Sequence, residues 1–184
     1  MLIENGHYVV EIAGLRRELP LLEIKPGLRI ALLNILGDIE LTQAAGKALA
    51  EKLARFEYAA IITPEAKSIP LAYALALEVN KPYVVLRKDF KPYMGDALEM
   101  ETLSITTGHP QTLFLDEKDR EFVQGKPVVI VDDVISTGST LEGMRALMEK
   151  AGATVVAEAA IFTEGDLDKW SEIVSLGHLP VFVD

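Results

Sequence analysis

Two adjacent acidic residues and a run of small polar residues stand close together in the second half of the chain. Asp132 and Asp133 follow a β-branched run at residues 128–131, and the Ser/Thr/Gly segment 136–140 comes just before a helical pattern. A loop leading from a strand into a helix can bind phosphate, because its N–H groups lack helical partners and lie at the positive end of the helix dipole. Gly138 lets the backbone approach a ligand closely, and neighbouring hydroxyl groups add hydrogen-bond donors.

The two carboxylates require a partner other than phosphate, since like charges repel. Ribose hydroxyl groups meet this requirement, because an ionised carboxylate accepts hydrogen bonds from paired OH groups. A magnesium ion nearby would offset the combined negative charge of Asp132, Asp133 and a phosphate group. The segment therefore predicts a phosphorylated sugar as the ligand.

Segment 128–140 resembles the phosphoribosyl pyrophosphate (PRPP) signature of type I phosphoribosyltransferases, in which two acidic residues and a Thr-Gly-Ser-Thr run follow a hydrophobic strand. The resemblance implies that Asp132 and Asp133 bind the ribose hydroxyls and help to hold Mg²⁺ indirectly, through PRPP and water. It also implies a 5′-phosphate cradle made of Ser136, Thr137, Gly138, Ser139 and Thr140.

Two other interpretations of this segment remain. One is a strand that ends in a polar turn and a capped helix, with no ligand. The other is a receiver domain of a signalling protein, which also has paired aspartates after a hydrophobic strand. In receiver domains the pair lies near the N-terminus, whereas here it falls late and the Ser/Thr/Gly loop follows it.

A second strand–loop–helix pattern occurs at residues 59–79. Its loop resembles the pyrophosphate loop of the purine branch, especially of adenine and xanthine phosphoribosyltransferases. The resemblance implies that pyrophosphate is bound by Glu65, Ala66, Lys67 and Ser68. The loop differs from the Arg-Gly form usual in adenine enzymes, and an ordinary helix capped by Ser68 is the alternative.

Three basic residues, Arg87, Lys88 and Lys91, follow the next predicted strand in an otherwise acidic chain. The purine branch often has an Arg-Lys pair here, which leads into a mobile catalytic loop, so these side chains are expected to neutralise the leaving pyrophosphate. A polar loop at residues 88–101 is the expected lid. Glu101, together with Glu99, is a candidate proton-handling group on that lid, with a solvated charge pair as the alternative.

Short β-branched runs alternate with amphipathic stretches, a rhythm that predicts an α/β fold with a mainly parallel sheet. The predicted strands are 8–11, 29–34, 59–63, 83–86, 128–131, 155–162 and 181–183, with a hairpin formed by 103–106 and 112–115 around Gly108, His109 and Pro110. The predicted helices are 41–56, 68–79, 140–151 and a short one near 166–174. Trp170 and His178 are expected to be packing residues, and His109 a turn residue.

The resemblance implies a type I phosphoribosyltransferase fold: a mainly parallel central sheet flanked by helices, with a small hood. A single domain is expected over residues 1–184, with the core at about 38–163. Residues 1–37 and the C-terminal tail are expected to form the hood and flank.

The composition limits the other partners. A net charge of −10 argues against a nucleic-acid ligand. Apolar runs are too short to span a membrane, and no secretory signal is recognisable. The chain has no cysteine, which excludes disulfides and thiolate sites. A cytoplasmic protein is expected, and the resemblance implies a homodimer.

These observations together predict transfer of the phosphoribosyl group from PRPP to a purine base of the adenine or xanthine type, with release of pyrophosphate. Two alternatives stay open. One is a non-enzymatic regulator that senses PRPP; purine repressors that share this domain carry an added DNA-binding domain, for which residues 1–40 give little room. The other is a pyrimidine phosphoribosyltransferase acting on orotate or uracil.

Overall fold

The computed structural model of the protein describes residues 3–4, 6–103 and 110–183. In this part of the chain the strands are β1 (Ile3–Glu4), β2 (His7–Ile12), β3 (Leu15–Lys25), β4 (Leu28–Ala31), β5 (Ala60–Pro64), β6 (Tyr83–Leu86), β7 (Leu98–Leu103), β8 (Pro110–Leu115), β9 (Pro127–Ile135), β10 (Thr154–Glu164), β11 (Val174–Leu179) and β12 (Val181–Val183). The helices are α1 (Ile39–Leu53), α2 (Ile69–Val79), α3 (Arg120–Val123) and α4 (Ser139–Lys150), and short 3-10 helices occupy Pro92–Met94, Glu117–Asp119 and Asp168–Trp170.

The central sheet has five parallel strands in the order β11-β10-β9-β5-β6. Its middle strand, β9, is apolar at residues 128–131, all of which have 0% exposure. Such a continuous run is expected where helices cover both faces of a parallel sheet. Fully burying each of these side chains stabilises the fold by about 1.5–3 kcal/mol relative to leaving it exposed.

Helices and a hairpin cover the two faces of this sheet. On one face, α1 and α2 pack with β2, β3 and β11 around a common apolar cluster. Gly46 on α1 permits a close helix crossing, because a Cβ atom there would lie 2.8 Å from the Cβ of Ala74 on α2. On the other face, α4 packs against the β7–β8 hairpin.

A second, antiparallel sheet is built from the two ends of the chain. Its strand order is β1-β2-β3-β4-β12, so the C-terminal strand pairs with β4. Val10, Ile12 and Leu19 turn from this sheet into the same cluster as α1 and α2. Arg17 also joins this sheet to the start of α1. Its guanidinium donates to the Asp38 carboxylate at 2.7 Å and 2.9 Å. Asp38 in turn caps α1 by accepting from Leu41 N at 3.0 Å.

The predicted fold class is confirmed, and several local predictions were wrong. The lid region was predicted to be loop up to residue 101, but β7 begins at Leu98, because Leu98 and Met100 alternate with polar residues and pack against the core. The strand predicted at 128–131 continues to Ile135 and so includes both aspartates. The helix predicted near 166–174 is a single 3-10 turn followed by β11, and β3 was not predicted at all.

The parts of the hairpin prediction that involve residues 104–109, His109 among them, lie outside the described residues. Within the described ranges, every helix is too short or too polar to cross a lipid bilayer.

Candidate functional site

The candidate site lies where three parallel strands end at the same edge of the central sheet. Pro64 at the end of β5 pairs with Leu86 at the end of β6, and β5 pairs with β9 on its other side. The segments after β5 and β6 therefore emerge beside the carboxyl end of β9. Open α/β sheets bind ligands at such an edge.

Asp133 is a buried acid with limited compensation. Its residue exposure is 7%, and its Oδ2 atom makes no hydrogen bond to the described residues. Lys67 supplies a counter-charge, because its Nζ lies 3.5 Å from that oxygen. A buried acceptor left without a hydrogen bond is costly, so this oxygen is suited to accept one from a ligand.

Asp132 is hydrogen-bonded within the strand end, since its Oδ1 accepts from Asp133 N at 2.8 Å. Burial raises the pKa of Asp132 well above its ordinary value, and the neighbouring Asp133 charge raises that pKa further. Hydrogen bonds from the backbone of Asp133 and from Ser68 offset part of this effect. A cationic or hydroxyl-bearing ligand would stabilise the ionised form.

The loop 136–140 forms the start of α4. Gly138 is the N-cap residue, with a left-handed φ of +88°, and no side chain caps the helix by a hydrogen bond. The Thr137 and Ser139 hydroxyls lie 3.2 Å apart on the exposed side. A cavity of about 50 Å³ lies between this loop and Asp132. The helix N-terminus, the hydroxyls and the cavity are together the features of a candidate anion site.

The loop after β5 brings Glu65, Ala66, Lys67 and Ser68 to the same edge. Ser68 is 1% exposed; its hydroxyl donates to Pro64 O at 2.9 Å and accepts from Thr63 at 3.0 Å. The hydroxyl therefore holds the loop together. Ser68 is the N-cap residue of α2, but its side chain makes no capping hydrogen bond to the described residues, unlike in the alternative of an ordinary capped helix. Lys67, by contrast, projects toward Asp133 with its side chain 47% exposed.

Glu65 pairs with the basic segment after β6. Its Oε2 accepts from Lys88 N at 2.9 Å and lies 3.1 Å from Arg87 Nε. The Lys88 hydrogen bond, followed by Arg87 and the charge of Lys91, holds the pKa of Glu65 below its ordinary value. Arg87 also donates to Tyr93 Oη at 3.1 Å, and Glu65 is the main cause of the raised pKa of Arg87.

The predicted site residues thus fall into two groups. The structure brings together the β9 aspartates, the loop 136–140, the loop 65–68 and the basic segment that begins at Arg87. Glu101 lies on β7 opposite Thr112, exposed and on the other side of the strand from Met100. The described contacts do not join Glu101 to the residues at the carboxyl edge of the sheet, so Glu101 forms the second group.

The candidate metal-binding residues at this edge of the sheet are Asp132 and Asp133. Within the described residues, no three His, Asp or Glu side chains are grouped to hold a metal. Asp132 and Asp133 offer two carboxylates at one edge, which suits a Mg²⁺ ion that takes most of its oxygen ligands from phosphate groups and water.

Sequence reasoning missed two features of the site. The ion pair of Arg87 with Glu65 joins the residues that follow two different strands, β6 and β5. Lys169 and Trp170, which follow β10, pack on the loop 136–140. Sequence spacing carries no signal for either contact, since both depend on strand order.

Comparison with known families and proteins agrees with this geometry. The model of the phosphoribosyl transferase domain matches residues 34–174. The purine biosynthesis transcriptional repressor PurR of Bacillus subtilis is 33% identical over 161 residues, which cover 85% of this chain and 56% of the repressor. Adenine phosphoribosyltransferase of Thermosipho africanus is 33% identical over 77% of this chain and 84% of that enzyme. Hypoxanthine/guanine phosphoribosyltransferase of Ferroglobus placidus is 35% identical over 62% and 58%.

The chain therefore spans little more than half the length of some of its relatives, the Bacillus repressor among them. Among solved structures, adenine phosphoribosyltransferase of Thermoanaerobacter pseudethanolicus superimposes with a TM-score of 0.67 at 23% identity, over 94% of this chain and 95% of that one. The Giardia lamblia enzyme complexed with 9-deazaadenine gives 0.67 at 19% identity, over 78% and 82%. These likenesses confirm the fold.

The raised pKa of Asp132 predicts a pH-dependent stability. An acid whose pKa is higher in the folded state binds more protons there, so stability falls as pH rises from the unfolded pKa through the folded one. Asp132→Asn removes this loss. We expect the variant to have a higher urea midpoint than the wild type at pH 7, with the difference shrinking as pH approaches 4.

Glu57→Gln, which removes one exposed carboxylate between α1 and β5, away from this site, is the control for net charge. Equal midpoints of wild type and Asp132→Asn across this pH range would show that Asp132 carries no such penalty.

Proposed function

Because this chain belongs to the phosphoribosyltransferase domain family, we propose that it transfers the 5-phosphoribosyl group of PRPP to a purine base and releases pyrophosphate. The observation that supports this proposal most directly is that the two ends of the site carry different chemical groups. At one end, Asp132 and Asp133 adjoin an uncapped helix N-terminus. At the other, Lys67 extends from the neighbouring strand–loop–helix unit to within 3.5 Å of Asp133.

PRPP matches both ends. Its 5′-phosphate fits the loop 136–140, its ribose hydroxyls fit the two aspartates, and its pyrophosphate fits Lys67 and the backbone amides of residues 66–68. In the reaction a base nitrogen attacks the anomeric carbon as the carbon–oxygen bond to pyrophosphate breaks. Pyrophosphate leaves with the electron pair, and the attacking nitrogen loses its proton. Mg²⁺, held through PRPP and water, would supply charge neutralisation.

The protein's part in this reaction is positioning and electrostatics. Lys67 is placed to offset the charge that develops on the leaving group. The basic segment beside the loop 65–68 can add to this charge neutralisation through Arg87, Lys88 and Lys91. Arg87 would do so by exchanging its Glu65 partner for pyrophosphate. Glu101 is proposed as a proton-handling group of the closed lid, which requires the β7–β8 hairpin to move toward the sheet edge.

A second candidate is a regulator that binds PRPP without turnover. Its support is the 33% identity to the Bacillus purine repressor and 30% identity to the Lactococcus lactis purine activators. Both functions require the same site for binding PRPP. They differ in whether pyrophosphate is released when a base is supplied.

The first prediction is base-dependent release of pyrophosphate from PRPP and Mg²⁺. We expect release with one purine among adenine, guanine, hypoxanthine and xanthine, and none with orotate or uracil. Calorimetric binding of PRPP without release would support the regulator. Release with a pyrimidine alone would contradict the purine assignment, and absence of PRPP binding would contradict both functions.

The second prediction concerns the acidic pair. Asp132→Asn with Asp133→Asn should weaken PRPP binding more than about 100-fold, because two charged hydrogen-bond acceptors for ribose are lost, each worth about 1.5–3 kcal/mol. Glu51→Gln with Glu57→Gln removes two exposed charges elsewhere and should leave binding unchanged. Unchanged calorimetric affinity in the aspartate variant would refute the site.

The third prediction separates the two ends of PRPP. Lys67→Ala should lower turnover about tenfold or more, the loss expected for one charge-assisted contact, while ribose 5-phosphate binding changes little. Lys67→Arg should retain most activity because it keeps the charge. Equal losses of turnover and ribose 5-phosphate affinity in Lys67→Ala would contradict the assignment to pyrophosphate.

We also propose a homodimer formed through the outer face of α1 and α2. Ile39, Tyr73 and Leu77 are 71%, 53% and 64% exposed there, around a groove of about 720 Å³. Lys47 on α1 and Glu78 on α2 line the same groove, so a two-fold axis would bring opposite charges together.

The corresponding prediction is that the wild type sediments as a dimer and Leu77→Glu as a monomer, because the substitution buries a charge at an apolar contact. Ile24→Glu changes a similarly apolar, 48% exposed residue on β3 and should leave the dimer intact. A monomeric wild type would exclude this interface.

A further inference from the structure

The segment between β10 and β11 lies against the loop 136–140. It contains the 3-10 helix Asp168–Trp170, and it touches the loop through Lys169 and Trp170. Neither residue belongs to the segments that the PRPP resemblance covers by motif.

Trp170 fixes the loop sterically. Its indole N–H donates to Glu164 O at 3.0 Å, which holds the ring in place, and the residue is 7% exposed. A Cβ atom built on Gly138 would lie 2.6 Å from the ring atom Cη2. The ring thus occupies the space next to Gly138 and restricts how the loop can move, while the left-handed φ of Gly138 independently requires glycine.

Lys169 fixes the orientation of one peptide group. Its Nζ donates to Thr137 O at 2.8 Å and lies 4.3 Å from the centroid of the Trp170 ring. In a planar trans peptide the C=O and N–H groups point in opposite directions. Holding the Thr137 carbonyl toward Lys169 therefore turns the Gly138 N–H away from Lys169, to the opposite side of that peptide.

We propose that Lys169 and Trp170 are positioning residues for the 5′-phosphate end of the site. They hold the Thr137–Gly138 peptide with its N–H group directed at the phosphate, and the Lys169 charge adds long-range attraction for the anion. This inference rests on the proposed binding of PRPP. It extends that proposal to residues outside the signature, and it assigns them to one end of the ligand.

The test uses calorimetric titration of the full chain with two probes, ribose 5-phosphate and magnesium pyrophosphate. Lys169→Met should weaken ribose 5-phosphate binding about tenfold, which corresponds to the loss of one oriented charge-assisted contact. Pyrophosphate affinity should stay unchanged, because that ligand binds at the other end. Lys169→Arg should restore most of the ribose 5-phosphate affinity, a rescue that loss of packing alone would not give.

Lys126→Met is the matched control, because Lys126 also donates to a backbone carbonyl, that of Glu121, away from this loop. Trp170→Phe tests the ring, and the Lys169 variants keep the inference testable if the Trp170 variant fails to fold. Unchanged affinity for ribose 5-phosphate in Lys169→Met would overturn the inference while leaving the proposed function intact. A wild type that binds neither probe would overturn both.

Discussion

Two neighbouring carboxylates at the end of a buried strand set the main electrostatic constraint on this protein. Both faces of the sheet are covered at β9. The apolar surroundings of this strand therefore end only toward its carboxyl end, where Asp132 and Asp133 lie. Their mutual repulsion and burial raise the pKa of Asp132. Lys67 approaches Asp133 but leaves its Oδ2 without a hydrogen bond within the described residues. The site is thus under-compensated until a ligand supplies hydroxyl groups or a cation.

The fold concentrates positive potential around this pair. Parallel strands point their carboxyl ends to one edge, and each helix that follows presents its positive N-terminus there. The loop 136–140 leads into the N-terminus of α4, and the loop before α2 carries Lys67. A net charge of −10 on the whole chain is therefore compatible with the proposed binding of an anionic sugar phosphate. The net charge of the chain bears on which macromolecules it can bind, whereas the helix N-termini at the sheet edge determine which small molecules fit there.

Sequence reasoning found the features that depend on a few consecutive residues. The segment 128–140 contains a strand, a loop and a helix start in one stretch, so its arrangement follows from local structure. The same holds for the loop 65–68, which also follows a strand and leads into a helix within a few residues. β3 was missed because charged residues and Pro20 interrupt its alternation, and it is stabilised by pairing with β2 and β4.

Contacts between distant segments escaped prediction for a related reason. The ion pair between Glu65 and Arg87 forms only because β5 and β6 are adjacent and in parallel register. The packing of Trp170 on Gly138 depends on β10 lying beside β9. In both cases each residue type was noticed in the sequence, but its partner depended on strand order.

The pairing of Arg87 also bears on the choice between enzyme and regulator. In this structure Arg87 contacts Glu65 through Nε and Tyr93 through one terminal nitrogen, so binding pyrophosphate through those two nitrogens would require it to give up a partner. An enzyme gains from such an exchange, because a contact that forms only as charge develops on the leaving group lowers the barrier. A regulator has no need of it, since in the proposed site Lys67 and the amides of the loop 65–68 would bind PRPP before any reaction. Exchange of the Glu65–Arg87 ion pair for pyrophosphate would therefore benefit an enzyme but not a regulator, although both would use the same binding site.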